Sequence, residues 1–466
     1  MQHGFFLDYS IQQTLQAYRD KLLDPVYVAE SIIRFVQSTD TILHAWEHFD
    51  AEYFLQQARL ARENIQRRQL RAFEGIPVGI KDIMNTTRFQ TQMGSALWQG
   101  FFPGNDARVV YHVERAGGIM PGKTSSAEFG VHALSKTNNP HHAAFSPGTS
   151  SSGSAVAVAT GMLPVALGTQ TAGSIVRPAS FCGVYGVKPS FGLIPRTGIL
   201  KTADTLDSVG FFVSHAHDLA SVLNALRVSG KDYPFIDAAL DNYHVPEAPR
   251  SKPWRVGFVR THTWNYAYDY AQEAMINWIQ KLAAGHGVEV EELKLSEQLS
   301  NAHDVHRIIY NRSLAYYFQE EFKQRELVSD RMAELIEDGL TITPQDYQQA
   351  LAQQCEMVKL VDSVFEEYDV LISLSTAGQA PLRDEIELPD PALMWTMTYV
   401  PVVSAPVFTA PSGLPFGIQL FARRYQDLYL FTFIDHLVSL GLLPASTNPT
   451  LKNAIKNKAD YSEVSL

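Results

Sequence analysis

PGTSSSGSAVAVATGMLPVALGTQTAGSIVRPASFCGVYGVKPS, residues 147–190, is the stretch that decides the fold. A Ser/Gly-rich run is ordinarily a flexible loop. This one carries secondary-structure patterns inside it. Pro164 to Leu167 and Val184 to Val187 are apolar runs of strand length, and Ser154 to Gly161 is rich in small residues, as suits a helix packed tightly on a sheet. In Gly168-Thr169-Gln170-Thr171-Ala172-Gly173-Ser174 a strand runs into a tight turn of small residues. Such a turn leaves consecutive backbone N–H groups free to converge on one point. Upstream, Gly75-Ile76-Pro77-Val78-Gly79-Ile80-Lys81-Asp82 closes an apolar run with a lysine, at what would be a buried strand end.

Working outward, the first seventy residues read as helical. Asp24-Pro25 forms an N-cap with proline at the first helical position, and Val28, Ile32, Phe35 and Val36 then share a face. A second amphipathic stretch carries Phe54, Ala58, Ala61 and Ile65. From Ile76 onward strands and helices alternate, with Ile119-Met120 as a further strand. The segment from Gly230 to Lys252, rich in Pro, Asp and Asn, reads as a surface connection. After it come a strand from Trp254 to Val259, a helix from Tyr268 to about Ala283 and a strand from Val288 to Leu293, a β-α-β unit. Thr343-Pro344 opens a helix that runs to about Glu367. Asp369 to Leu374 and Phe416 to Phe421 are strands, and Asp427 opens the last strong helix before a polar tail from Ser446. Interleaving of this kind predicts an α/β fold with a mostly parallel or mixed sheet.

Composition narrows the function. Apolar residues form 45% of the 466, enough for a sizeable core. The formal charge of −11, with no basic block, argues against nucleic acid or an anionic membrane as partner. No apolar stretch reaches the ~20 residues of a membrane span. The start, MQHGFFLDYSIQQ, has no basic segment followed by an apolar one, so no signal peptide is expected. The two cysteines, Cys182 and Cys355, form neither a metal knuckle nor a disulfide framework. Together these features predict a cytoplasmic protein.

The 147–190 run and the Gly75–Asp82 segment together resemble the signature of the amidase-signature hydrolases, which cleave C–N bonds with a Ser–Ser–Lys triad. The resemblance implies one domain over residues 1–466 with a large central mixed sheet covered on both faces by helices. Residues 1–70 would be an N-terminal helical segment, 71–230 the signature core, 231–252 the surface connection, 253–445 a C-terminal α/β part with the substrate-pocket loops, and 446–466 the tail. It also assigns roles. Ser174 matches the nucleophile, Lys81 the base, and Ser150 the bridging serine held by a cis peptide. The amides of Thr171, Ala172, Gly173 and Ser174 match the oxyanion hole. The expected substrate is a small-molecule carboxamide or urea-type compound, with neither metal nor organic cofactor. The chain would act alone, as a homodimer or in a heteromeric amidase complex.

These residue types suit the reaction. An amide needs an activated nucleophile, an oxyanion stabiliser and a proton donor for the departing nitrogen. For lysine to serve as base, its pKa of ~10.4 must fall to roughly 7–8, a differential cost of about 3–5 kcal/mol. Burial beside neutral hydroxyls achieves that, because desolvation penalises the ammonium.

The chain departs from the family pattern in places. Thr149 and Ser152 replace two glycines of the bridging-serine loop, Gln170 replaces an aspartate common before the nucleophile, and Ala172 replaces a glycine. The turn leans away from the glutaminase component of tRNA-dependent amidotransferases. It leans towards stand-alone amidases or carboxybiuret-type amidohydrolases.

Rival motifs are present. Gly117 to Thr124 fits G-x-x-x-x-G-K-T, the pattern of a P-loop nucleotide-binding protein. A helical pattern from Ala107 to Ala116 stands where that motif needs a strand, and Pro121 removes an N–H that would cradle phosphate. The fifteen histidines come with no G-x-S-x-G elbow, no HExxH pair and no clustered Cys/His set. Arg177 reads as a structural ion pair rather than a carboxylate binder. Trp395 and Tyr399 fit a pocket wall and core packing equally well.

Overall fold

The computed structural model describes residues 4–228, 253–285 and 287–447. Its short apolar runs pair into one mixed sheet of eleven strands. In chain order these are β1 (Trp46–Phe49), β2 (Val78–Lys81), β3 (Gly122–Thr124), β4 (Val165–Gln170), β5 (Tyr185–Lys188), β6 (Ser208–Val213), β7 (Trp254–Val259), β8 (Val288–Leu293), β9 (Val370–Leu374), β10 (Val402–Thr409) and β11 (Pro415–Phe421). The spatial order is β1-β3-β2-β4-β6-β5-β10-β11-β9-β7-β8. Pairing is parallel for β3/β2/β4 and for β9/β7/β8, and antiparallel elsewhere. Every residue of β2, β4, β5, β6 and β9 is buried, as expected of central strands with helices on both faces. At the far edge β8 alternates valines with glutamates, and charge there discourages pairing with another chain.

Most expected elements are present. Asp24 caps the helix Pro25–Leu43, Thr343 forms a capping box on Pro344–Val364, and the β-α-β unit around Asp269–Ala283 is in place. The exceptions have local causes. The N-terminal segment is not wholly helical. His44 ends the helix Pro25–Leu43 in the left-handed region (φ 49°), and the four-residue β1 follows. Ile119-Met120 is not a strand. Ile119 makes an isolated bridge to Pro77, and the strand starts only at Gly122, because Pro121 has no N–H to continue the ladder. At the start of the polar tail, Ser446 bridges His215 and the Thr447 amide donates to Ser214 O. Residues 448–466 and the proposed connection at 231–252 lie outside the described residues.

Two parallel neighbours place the site. β2 ends at Lys81, and β4 ends at Gln170, one residue before the small-residue turn. Parallel strands deliver both ends to the same side of the sheet, where α/β proteins build their sites. The helix Ser152–Ala159, buried at every position, packs against β4 and β2. Its Ser154 hydroxyl donates to Leu167 O at 2.8 Å and lies 2.7 Å from Thr124 Oγ1. Gly153 sits against backbone: a Cβ there would come within 2.3 Å of Ala45 O and 2.5 Å of Ser125 N. Backbone cannot yield as a side chain would. Gly153→Ala should therefore lower stability by on the order of 2 kcal/mol, whereas a free helical glycine would gain about 0.5–1 kcal/mol from the same change. Denaturant unfolding measures the sign, and a stabilised variant would show that this helix end is not wedged.

Candidate active site

Lys81 is fully buried, and three hydroxyl oxygens surround its Nζ: Ser150 Oγ at 2.7 Å, Thr169 Oγ1 at 2.8 Å and Ser151 Oγ at 3.0 Å. Burial lowers its pKa to about 7, against a weaker opposing pull from the Asp207 carboxylate. The geometry suits a neutral amine, which has two protons and one lone pair. Ser151 has committed its own proton to Thr169 O (3.2 Å), so it must accept from Lys81. Among the described residues Ser150 Oγ hydrogen-bonds with Lys81 alone, so its proton is free to point at the lysine lone pair.

Ser150 follows a cis peptide bond from Thr149. The Thr149 carbonyl is held by Arg177, whose Nε and Nη2 donate to it at 3.2 and 3.0 Å. Nη1 of Arg177 pairs with Asp390 at 3.0 Å and lies 2.9 Å from Glu387, without hydrogen-bond alignment to the latter. The guanidinium is thus already neutralised by two carboxylates, as the ion-pair reading expected. Among the described residues Ser174 Oγ makes no hydrogen bond, so Lys81 and Ser150 are joined directly and the link onward to Ser174 is open.

The turn after β4 divides its polar groups by function. Three of its carbonyls are tied: Thr171 O lies 3.0 Å from His306 Nε2, Ala172 O accepts from Thr396 Oγ1 at 2.6 Å, and Gly173 O accepts from the Arg177 amide at 2.8 Å. Among the described residues, none of the four amides from Thr171 to Ser174 donates to a protein acceptor. Four unsatisfied donors in a row form a nest for a negative charge. Gln170 explains its own substitution. Its Oε1 accepts from the Ile175 and Val176 amides at 2.8 and 2.9 Å, while its Nε2 donates to Thr396 Oγ1 at 2.9 Å. An aspartate has no N–H to make the contact with Thr396. At Gly173 a Cβ would meet the Asp390 carboxylate at 1.9 Å, so only glycine fits.

Asp207 braces the same turn from the other side. Its carboxylate accepts from Thr171 Oγ1 (2.7 Å), Thr202 Oγ1 (2.6 Å) and the amides of Thr202 and Ala203 (2.8 and 3.0 Å). Cavities open on both sides. One of roughly 290 Å³ is lined by Gly130, Thr169, Thr171 and Asp207. A larger one of roughly 890 Å³ is lined by His132, Ala172, Arg177, His306, Tyr310 and Asp390. Both lie near the size range of small-molecule sites.

Asp207, His306, Thr396 and Asp390 carry no sequence signal, because each lies outside the 147–190 run and meets the turn or Arg177 from 36 or more positions along the chain. Trp395 is fully buried with its ring centroid 4.0 Å from that of Phe421, so it is core. Tyr399 packs on Phe191 at 4.5 Å. The P-loop lysine, Lys123, is buried in an ion pair with Asp82 at 3.0 Å and donates to Thr91 Oγ1 at 2.8 Å. A lysine so engaged is not available to phosphate. Among the described residues no three His, Cys, Asp or Glu side chains cluster as a metal site needs, and no helix is long and apolar enough to cross a membrane.

The sequence matches the Amidase family over residues 28–431, and the chain belongs to that family. Among its relatives is a glutamyl-tRNA(Gln) amidotransferase subunit of a Picosynechococcus strain, 30% identical over 76% of this chain and 81% of the relative. Solved structures with the same fold include an inhibitor-bound complex described as vestigial and bearing on the origins of an s-triazine catabolic enzyme (TM-score 0.84, 21% identity, 94% of this chain and 100% of that one). The native peptide amidase of Stenotrophomonas maltophilia is another (TM-score 0.80, 22% identity, 96% and 99%). The lean of the turn away from the amidotransferases is thus not followed by the sequence relatives.

The buried lysine carries a prediction about stability. With the folded pKa near 7 and the ordinary lysine value at 10.5, the unfolded chain binds a proton in this window that the folded chain has lost. Lys81 therefore makes stability rise with pH across that interval. Lys188, likewise lowered to about 7 by burial, adds a similar slope, so a single-site comparison is needed. Lys81→Met should remove one share of the rise, seen as a stability gain over wild type at about pH 6 that shrinks by about pH 10. Parallel curves for the two proteins would place the Lys81 pKa at its ordinary value.

Proposed function

We propose that this protein is an amidase that hydrolyses a carboxamide, or a related urea-type C–N bond, to a carboxylate plus ammonia or an amine. The observation that carries this reading is the lysine lowered to about 7 at 2.7 Å from the hydroxyl of Ser150. Ser174 Oγ attacks the carbonyl carbon and passes its proton to Ser150, whose own proton goes to neutral Lys81. The developing oxyanion is received by the amides of Thr171 to Ser174. The proton then returns through Ser150 to the nitrogen, the C–N bond breaks, and an acyl-enzyme on Ser174 remains. Water adds to that ester by the same relay in reverse order and releases the carboxylate. The Ser150–Ser174 contact is open in the free protein, and a substrate carbonyl seated on the turn would draw Ser174 into line, as apo sites often tighten on binding.

A second reading has an observation of its own. The 30% identity to a glutamyl-tRNA(Gln) amidotransferase component favours a glutaminase-type role inside a heteromeric complex, and a carboxybiuret-type amidohydrolase in a complex is a variant of it. Ammonia release separates these. The isolated chain should release ammonia from simple aliphatic or aryl amides at least as readily as from glutamine. Activity confined to glutamine, or appearing only with partner proteins, would favour the second reading.

Ser174→Ala should abolish both turnover and covalent labelling by a fluorophosphonate while leaving the unfolding curve unchanged. Lys81→Ala should cost several orders of magnitude, with Ser150→Ala between the two. In wild type the labelling rate should fall about tenfold per pH unit below about 7, where Lys81 gains its proton. Normal turnover by Lys81→Ala at neutral pH would remove lysine as the base.

A further inference from the structure

His306 stands outside the signature, on the helix Ala302–Tyr317, more than a hundred residues from the turn it touches. Its Nε2 lies 3.0 Å from Thr171 O. A carbonyl oxygen can only accept, so Nε2 carries the proton and the tautomer is set. Burial lowers the pKa of the ring to about 4, which keeps it neutral at physiological pH. The ring also packs against Tyr310, with centroids 5.3 Å apart, and both residues line the 890 Å³ cavity beside Ala172.

The contact matters because of what lies across the bond. Thr171 C=O and Ala172 N–H belong to one rigid planar peptide unit, so holding the oxygen in one direction aims the N–H in the other. We propose that His306 is a positioning residue for the oxyanion hole: by donating to Thr171 O it fixes the Thr171–Ala172 peptide plane and turns the Ala172 amide towards the carbonyl oxygen of the substrate. This deepens the amidase reading and rests on it. Thr396 does the same for the next plane through Ala172 O, and Asp207 holds the Thr171 side chain. His306 reaches the Thr171 carbonyl from the wall of the larger cavity, so it couples the shape of the substrate side to the aim of an oxyanion donor.

The test uses the full chain and a fluorophosphonate, whose P=O oxygen occupies the same hole. His306→Leu keeps bulk and removes the donor, and His306→Gln restores an N–H at a similar reach. The leucine variant should lose about 10- to 100-fold in the maximal labelling rate with the half-saturating probe concentration within about twofold, a partial loss of one donor. The glutamine variant should recover most of that rate. His306→Asn is polar but too short to reach Thr171, and it should behave as leucine does, which covers the case where leucine prevents folding. Labelling of a folded leucine or asparagine variant at the wild-type rate would overturn the proposal, and so would equal losses in glutamine and leucine. A failure of the underlying reading looks different: Ser174→Ala would still be labelled, and both proposals would fall together.

Discussion

A buried lysine with no counter-ion in contact among the described residues is the constraint on which the rest of this structure depends. Ammonium groups are expensive to bury, and burial here wins over the attraction of Asp207. That outcome requires a dry cluster, because water at Nζ would restore the charge. Dryness in turn requires the helix behind Ser150 and Ser151 to be covered at every position, and its residues are small because the sheet and the Ala45–Ser125 backbone lie so close. Asp207 is near enough to matter but spends its oxygens on Thr171, Thr202 and two amides, so it braces the turn without forming a pair with Lys81.

Around that cluster, among the described residues, the amides of the turn are left without a protein acceptor while its carbonyls of Thr171, Ala172 and Gly173 are bonded to the protein. The tied carbonyls of Thr171, Ala172 and Gly173 explain how a turn of small, flexible residues holds one shape. Preorganised dipoles are effective because they need not rotate when charge develops. Arg177 has a related task. Its charge is satisfied by Asp390 and Glu387, and its N–H groups hold the Thr149 carbonyl beside the bridging serine.

Much of this was legible in the sequence where the cause was local. Lys81 after an apolar run, the strand before Thr171, and the caps at Asp24 and Thr343 each depend on neighbours within a few residues. β1 was not legible, because four residues at a sheet edge carry too little pattern to stand out between two helices. Ile119-Met120 has the apolar character of a strand, but Pro121 interrupts the ladder before one can form. The braces of the turn were beyond reach for a different reason. A histidine on an amphipathic helix looks the same whether it meets solvent or a carbonyl 135 positions away. The arginine was read rightly as an ion pair, but its partners Asp390 and Glu387 had to be found in space.

The sheet order has a consequence for how the protein comes into being. Strand β5 lies between β6 and β10, and Gln170 meets Thr396 across 226 positions of sequence. Contacts so distant along the chain close slowly. At ~5–20 residues per second a ribosome takes roughly 10–45 s to cover that separation. Through that interval the nascent signature segment has an open edge at β5 and a turn lacking its Thr396 support. The turn is therefore braced only late in synthesis, and until then the half-made protein carries an unpaired strand beside a turn not yet fixed.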